Sequence, residues 1–72
     1  MVKNAELADI FANIARILKI KDENVFKIRA YERVAATLEN LPMEAETLYR
    51  LGKLNEIPGV GEAIAQKIGE LV

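Results

Sequence analysis

The 72-residue chain has no cysteine, no histidine and no tryptophan. Without cysteine there is no disulfide and no thiolate metal site, and without histidine there is no imidazole ligand and no base that titrates near neutral pH, so stability has to come from packing. Four aromatic residues leave the core to aliphatic side chains. No apolar run reaches the ~20 residues a membrane span requires, and the N-terminus mixes charged with apolar residues; the expectation is a soluble, cytoplasmic protein. An excess of one charge is also missing: ten basic against eleven acidic side chains give a formal net charge of -1, which removes the overall attraction to phosphate expected of a strongly basic nucleic-acid binder. Any phosphate binding must be local. At this length a chain is one domain that buries roughly 60% of its unfolded surface, too little for a large enzyme with an enclosed pocket.

What is present is helical periodicity, with no convincing strand. In "NAELADIFANIARILKI", Leu7, Ile10, Phe11, Ile14, Ile17 and Leu18 recur at intervals of three and four and predict an amphipathic helix with Asn4 as its N-cap. "KIKDEN" breaks it. Asn24 is placed to cap a second helix, "VFKIRAYERVAATLENL", with Ile28, Tyr31, Val34, Ala35 and Leu38 on one face and an interruption at Pro42. "MEAETLYRL" predicts a short third helix that has acids Glu44 and Glu46 at its start, Arg50 near its end and a stop at Gly52. After "GKLNEI", one further helical turn, come "PGVG" and "EAIAQKIGELV", with Ile64, Ala65, Ile68, Leu71 and Val72 on one face. The expected fold is all-α, a compact array of about four helices over residues 1–72, with Phe11, Ile14, Leu18, Ile28, Val34, Leu38, Leu48, Ile57, Ile64 and Ile68 in one core.

The segment "IPGVGEAIAQKIGELV" carries the chemistry. Pro58 lacks a backbone N–H and resists helix continuation, while Gly59 and Gly61 permit positive φ and let another backbone come close. Loop N–H groups and the positive end of the last helix then converge on one place, which binds a phosphate without basic side chains. Such a contact reads the sugar-phosphate backbone and is independent of sequence. The competing reading is an ordinary interhelical turn in which the glycines serve geometry alone.

The run of Ile57, Pro58, Gly59, Val60, Gly61, three residues, Ala65 and then Ile68 resembles the helix-hairpin-helix motif of DNA repair and replication proteins. Read with "ENVFKIRAYERVAATLENL" and "LYRLGKLNEIPGVGEAIAQKI", nearly the whole chain resembles the N-terminal small domain of family X DNA polymerases, the DNA polymerase beta-like group, especially its bacterial and archaeal members. The resemblance implies an all-helical domain that binds gapped or nicked DNA on its 5′-phosphate side; the single core expected from the apolar stripes suits a monomer. It also implies a monovalent cation, Na⁺ or K⁺, held by hairpin carbonyls, here those of Ile57 and Gly59. In some members it implies base excision repair chemistry, the removal of a 5′-deoxyribose phosphate through a lysine Schiff base.

Carried over residue by residue, Gly59, Val60 and Gly61 fall on the hairpin and would contact DNA, Val60 being better suited to packing. Lys27 and Tyr31, four residues apart on one helical face, fall where the family has Lys and Tyr that meet a phosphate and orient a sugar; Tyr31 reads equally as a core aromatic. Phe26 stands where some relatives have His and would stack on a base or pack, packing being the preferred reading. Arg29 and Arg33 share a face with Glu32 and read as solubilising charges. Lys67 falls at the Schiff-base position, about 100° from the middle of the last helix's apolar stripe and so at its border. Partial loss of hydration there would favour a neutral, nucleophilic amine, while the plainer reading is a lysine with its stem on the core edge and its head in water. Ala63, Gln66 and Asn55 replace Lys, Glu and Lys of the strongest lyases.

Three functions follow. The leading one is a non-catalytic DNA-backbone binding module of a repair polymerase. The alternatives are a 5′-deoxyribose-phosphate lyase acting through Lys67 and a helical protein-protein interaction module that uses the hairpin surface. These residues alone leave no room for a nucleotidyl-transfer domain with its metal-binding carboxylates, and an ending just after a helix is compatible with a domain excised from a longer chain.

Overall fold

The spacing of apolar residues produces four helices, and their ends are set by identifiable caps. The structure, a computed structural model, describes residues 2–72. In order it contains α1 (Asn4–Ile20), α2 (Val25–Glu39), α3 (Ala45–Arg50), a 3-10 turn (Leu54–Glu56) and α4 (Glu62–Leu71), with no strand among the described residues. Each long helix has one apolar face, and α1 and α2 bury theirs against one another. The four-residue connection from Lys21 to Asn24 makes them antiparallel neighbours.

The first helix does not begin as its sequence suggests. Lys3 is the N-cap, with its backbone N–H 3.4 Å from Glu6 Oε1. Asn4 is instead the first helical residue and is buried. Its side chain accepts from the N–H of Ala45 at 2.7 Å and donates to the carbonyl of Met43 at 2.9 Å, while its own N–H donates to Glu44 Oε1 at 3.1 Å. An amide that both donates and accepts is more useful between two helix starts than as a one-bond cap. Glu44 is accordingly the N-cap of α3, and Glu46 lies in the first turn, 3.7 Å from Arg50.

α1 ends with Asp22 at φ 57, its N–H donating to the Lys19 carbonyl and that of Glu23 to the Leu18 carbonyl, a Schellman closure with an aspartate in the left-handed region. α3 closes in the same way through Gly52 at φ 69, as expected of a glycine stop. Asn24 caps α2 as expected, its side chain accepting from the N–H of Phe26 at 2.8 Å. α2 stops at Glu39, short of Pro42.

Phe11, Leu7, Leu38, Ile68 and Val34 are wholly enclosed. Six of the ten residues expected in the core (Phe11, Ile28, Val34, Leu38, Ile57 and Ile68) are buried. Ile14, Leu18, Leu48 and Ile64 are half-exposed at its border, and Leu7, Ala8, Ala45, Leu54 and Val60 are enclosed in addition. The reason is reach. α3, the 3-10 turn and α4 are too short to cover the whole α1–α2 pair, so burial on α1 stops at Ala15 and the far tip stays bare at Ile17, Ile20, Val25 and Phe26. No helix among the described residues is long and apolar enough to cross a membrane.

Candidate nucleic-acid interface

The hairpin is a turn pinned at both ends. Ile57 and Val60 are buried, and the N–H of Val60 donates to the Ile57 carbonyl at 3.0 Å across Pro58 and Gly59. Pro58 supplies the fixed φ of the second turn position, and Gly59, at φ 83, supplies the positive φ that a type II turn needs at its third. Val60 packs into the core, so its backbone is held while its side chain faces away from solvent.

Gly61 behaves differently from the expectation of positive φ. It is extended, at φ -88 and ψ -174, and is the N-cap of α4. A Cβ placed on it would meet nothing within 4 Å. Neither backbone angle nor packing therefore requires a glycine here. With no side chain at the cap, the N–H groups of Glu62, Ala63 and Ile64 have no capping oxygen, and they lie at the positive end of a ten-residue helix. A phosphate oxygen is the kind of acceptor such a terminus takes.

The carbonyls of Ile57 and Gly59 have capacity for a monovalent cation. That of Ile57 accepts one hydrogen bond, from Val60, and an sp² oxygen has a second lone pair; that of Gly59 takes part in no backbone hydrogen bond outside the helices. Oxygen donors of this kind suit hard cations. Among the described residues no group of three or more Asp or Glu is positioned to hold a metal ion.

The other expected site residues are distributed over two helices. Lys27 is exposed in the first turn of α2, with no carboxylate partner among the described residues. Tyr31 is half-buried and stacks on Phe11, with ring centroids 5.6 Å apart and an interplanar angle of 23°. The core role of Tyr31 is thus present, and its hydroxyl makes no hydrogen bond among the described residues. Lys67 is half-exposed on α4, at the border where helical phase puts it, and is likewise without a carboxylate partner among the described residues. No hydrogen bond joins Lys27, Tyr31 and Lys67.

One expectation is overturned. Phe26 does not pack: it is 76% exposed, because the bare tip of the α1–α2 pair offers it nothing to pack against. Arg33 is exposed, as a solvated charge is, and is not paired with its neighbour Glu32 among the described residues. The Glu32 carboxylate is drawn to Lys19 on α1, at 2.7 Å, and the stem of Arg33 lies over Gly59, with Cδ 3.5 Å and Cγ 3.7 Å from where a Cβ would stand. Helical phase alone gives no sign of this, since it depends on where the hairpin lands.

An open cleft of about 570 Å³ lies beside the hairpin, lined by Tyr49, Gly52, Leu54, Asn55, Glu62 and Ala65. It offers one carboxylate and one amide.

Residues 2–72 match the helix-hairpin-helix domain family, whose members generally bind DNA. Comparison with curated proteins and with solved structures gives no match. The match takes in all four helices, and the pinned turn between the α3 region and α4 is the hairpin of the family's description; the chain belongs to the helix-hairpin-helix domain family.

Proposed function

We propose that this domain binds the DNA backbone without regard to sequence and recognises gapped or nicked DNA near a 5′-phosphate, as a module of a repair polymerase. The observation that carries the reading is the bare N-terminus of α4, where Gly61 is required by neither φ nor packing. The advantage of having no side chain there is access: an incoming phosphate meets the N–H groups directly. The preference for a gap and its 5′-phosphate is supported by the resemblance of residues 23–41 and 48–68 to the small domain of family X polymerases. The same resemblance supports a Na⁺ or K⁺ on the Ile57 and Gly59 carbonyls, whose positive charge would add to the attraction for phosphate.

With few cationic side chains involved, affinity should be in the micromolar range or weaker and fall only shallowly with salt. Gly61→Val tests the reading. Valine at this extended position has room and costs about 1 kcal/mol as an N-cap, so the fold persists while the approach is blocked. The expected result is at least tenfold weaker binding to a 5′-phosphorylated gapped duplex. Unchanged affinity in a folded variant would remove the hairpin from the interface and leave a protein partner as the reading for this surface.

A second reading, lyase activity, is favoured by one observation: Lys67 is half-exposed with no carboxylate beside its amine. The neutral amine would attack C1′ of an opened abasic sugar and expel water to form an imine. Loss of the C2′ proton, to water or to Glu70 one turn along α4, would then release the phosphate by β-elimination. Borohydride reduction on an incised abasic substrate would trap wild type and spare Lys67→Ala. Equal trapping of both assigns the imine to another amine, and no trapping of bound wild type leaves a binding module.

A further inference from the structure

We infer that Arg33 is a phosphate ligand of the hairpin, a cation that α2 lends to a loop which has none of its own. The inference rests on the DNA-backbone reading of the hairpin and adds a residue to it.

Between Ile57 and Gly61 there is no basic side chain. Arg33, 24 or more residues earlier in the chain, supplies one through tertiary packing. Its Cγ and Cδ lie 3.7 Å and 3.5 Å from where a Cβ on Gly59 would stand. Glycine at this place provides φ 83 for the turn, and a Cβ there would stand at ordinary van der Waals distance from the arginine stem. The stem runs along this side of the hairpin, and the guanidinium begins one bond beyond Cδ.

The head group has no competing partner. The two ion pairs among the described residues join Lys19 to Glu32 and Arg50 to Glu46. The first matters most, because Glu32 is the acid next to Arg33 in sequence and is held on the α1 side by Lys19. Arg33 itself is exposed. An arginine whose stem runs beside the hairpin and whose charge is unneutralised suits an anion that offers two oxygens to its planar fork, and a phosphate does so. The hairpin N–H groups and Arg33 would take oxygens of neighbouring phosphates on one strand. The strand would then run along α2, past Arg29 one turn away, toward the exposed ring of Phe26. Arg33 and Phe26 are seven residues apart and so lie on nearly the same stripe of α2.

The consequence is quantitative. Each phosphate contact by a cationic side chain contributes about 0.9 to the slope of log K against log salt on duplex DNA, and about 0.7 on single strands. In a site with few such contacts, the loss of one is a large fraction of the slope.

The test is a salt titration of binding to a fluorescent, 5′-phosphorylated gapped duplex by wild type, Arg33→Gln, Arg33→Lys and Arg16→Gln. Arg16 is exposed on the outward face of α1 and removes the same unit charge without touching the hairpin. Arg33→Gln should bind several-fold more weakly at low salt, with a slope smaller by about 0.7–0.9. Arg33→Lys should keep most of the slope, and Arg16→Gln should keep all of it. If wild type binds and Arg33→Gln shows the same slope as Arg16→Gln, Arg33 is not a ligand and the hairpin reading stands without it. If wild type itself does not bind at low salt, the DNA reading fails and takes the Arg33 assignment with it.

Discussion

Asn4 and Ala45, 41 residues apart in sequence, are joined by a 2.7 Å hydrogen bond from the Ala45 N–H to the Asn4 side-chain oxygen. With the return bond from the Asn4 amide to the Met43 carbonyl, at 2.9 Å, it ties the start of α1 to the start of α3. Both ends of the tie are shielded, and Ala45 is fully enclosed.

Removing that side chain leaves a buried N–H and a carbonyl unpaired, each worth about 1–3 kcal/mol when unsatisfied. Asn4→Ala should therefore destabilise the domain by about 2–4 kcal/mol in urea unfolding. Asn4→Asp should lose at least as much, because its carboxylate still accepts from Ala45 but turns an oxygen toward the Met43 carbonyl and buries a charge beside Glu44. A smaller loss than that of Asn4→Ala would show that the acceptor alone holds the tie.

The turn after α1 offers a gain of stability. Asp22 sits at φ 57, where an L-residue with a Cβ is disfavoured and glycine is not. Asp22→Gly should raise stability by about 0.5–1 kcal/mol, read as a higher denaturation midpoint at constant slope. A lower midpoint would mean that the aspartate side chain makes a compensating local bond in solution.

Phe26 and Tyr31 separate binding from packing. Phe26 is largely in water, so Phe26→Ala should change stability by no more than about 0.5 kcal/mol. If its ring stacks on an unpaired base at a gap, affinity falls about tenfold, at the low end of the 1–3 kcal/mol that such stacking contributes, while the salt slope stays fixed because no charge is lost. Tyr31→Ala should cost about 3 kcal/mol by removing the stack on Phe11. Tyr31→Phe keeps the stack and loses only a hydroxyl without a protein partner. A drop in affinity of Phe26→Ala matched by a drop in stability would mean that the ring supports the fold instead.

Helical phase made most of the fold legible. The stripes around Phe11, Val34 and Leu38, the Asn24 cap and the Gly52 stop all act within a few residues of themselves, and local physics determines them. Asn4 and Phe26 depart from their local reading for the opposite reason: each is decided by a segment distant in sequence, or by the lack of one. Asn4 has a cap's chemistry and is used between helices. Phe26 has a core residue's composition and lies beyond the reach of the short helices. Arg33 is the surface charge its phase suggests, and only the fold shows that its stem passes near Gly59. At the hairpin, Pro58 and Gly59 announce their turn, and the sequence also marks Gly61. The difference between the two glycines, one required by φ and one by nothing inside the chain, emerges only with the backbone angles.

That difference permits a substitution whose effects on stability and binding have opposite signs. Aspartate is among the best N-cap residues, whereas glycine is slightly inferior, and a carboxylate at a helix N-terminus also gains from the macrodipole. Gly61 is extended and open, so an aspartate fits without strain and can accept from the free N–H groups at the start of α4. Gly61→Asp should therefore stabilise the domain by about 0.5–1 kcal/mol. The same carboxylate occupies the donors a phosphate would use and repels its charge, so affinity for the gapped duplex should fall by at least tenfold, about 1.4 kcal/mol or more. Thermal unfolding and fluorescence titration on one protein sample measure both. A variant that is more stable and binds as well as wild type would show that the α4 terminus is not where DNA is held, and a variant less stable than wild type would show that Gly61 answers to a constraint within the fold.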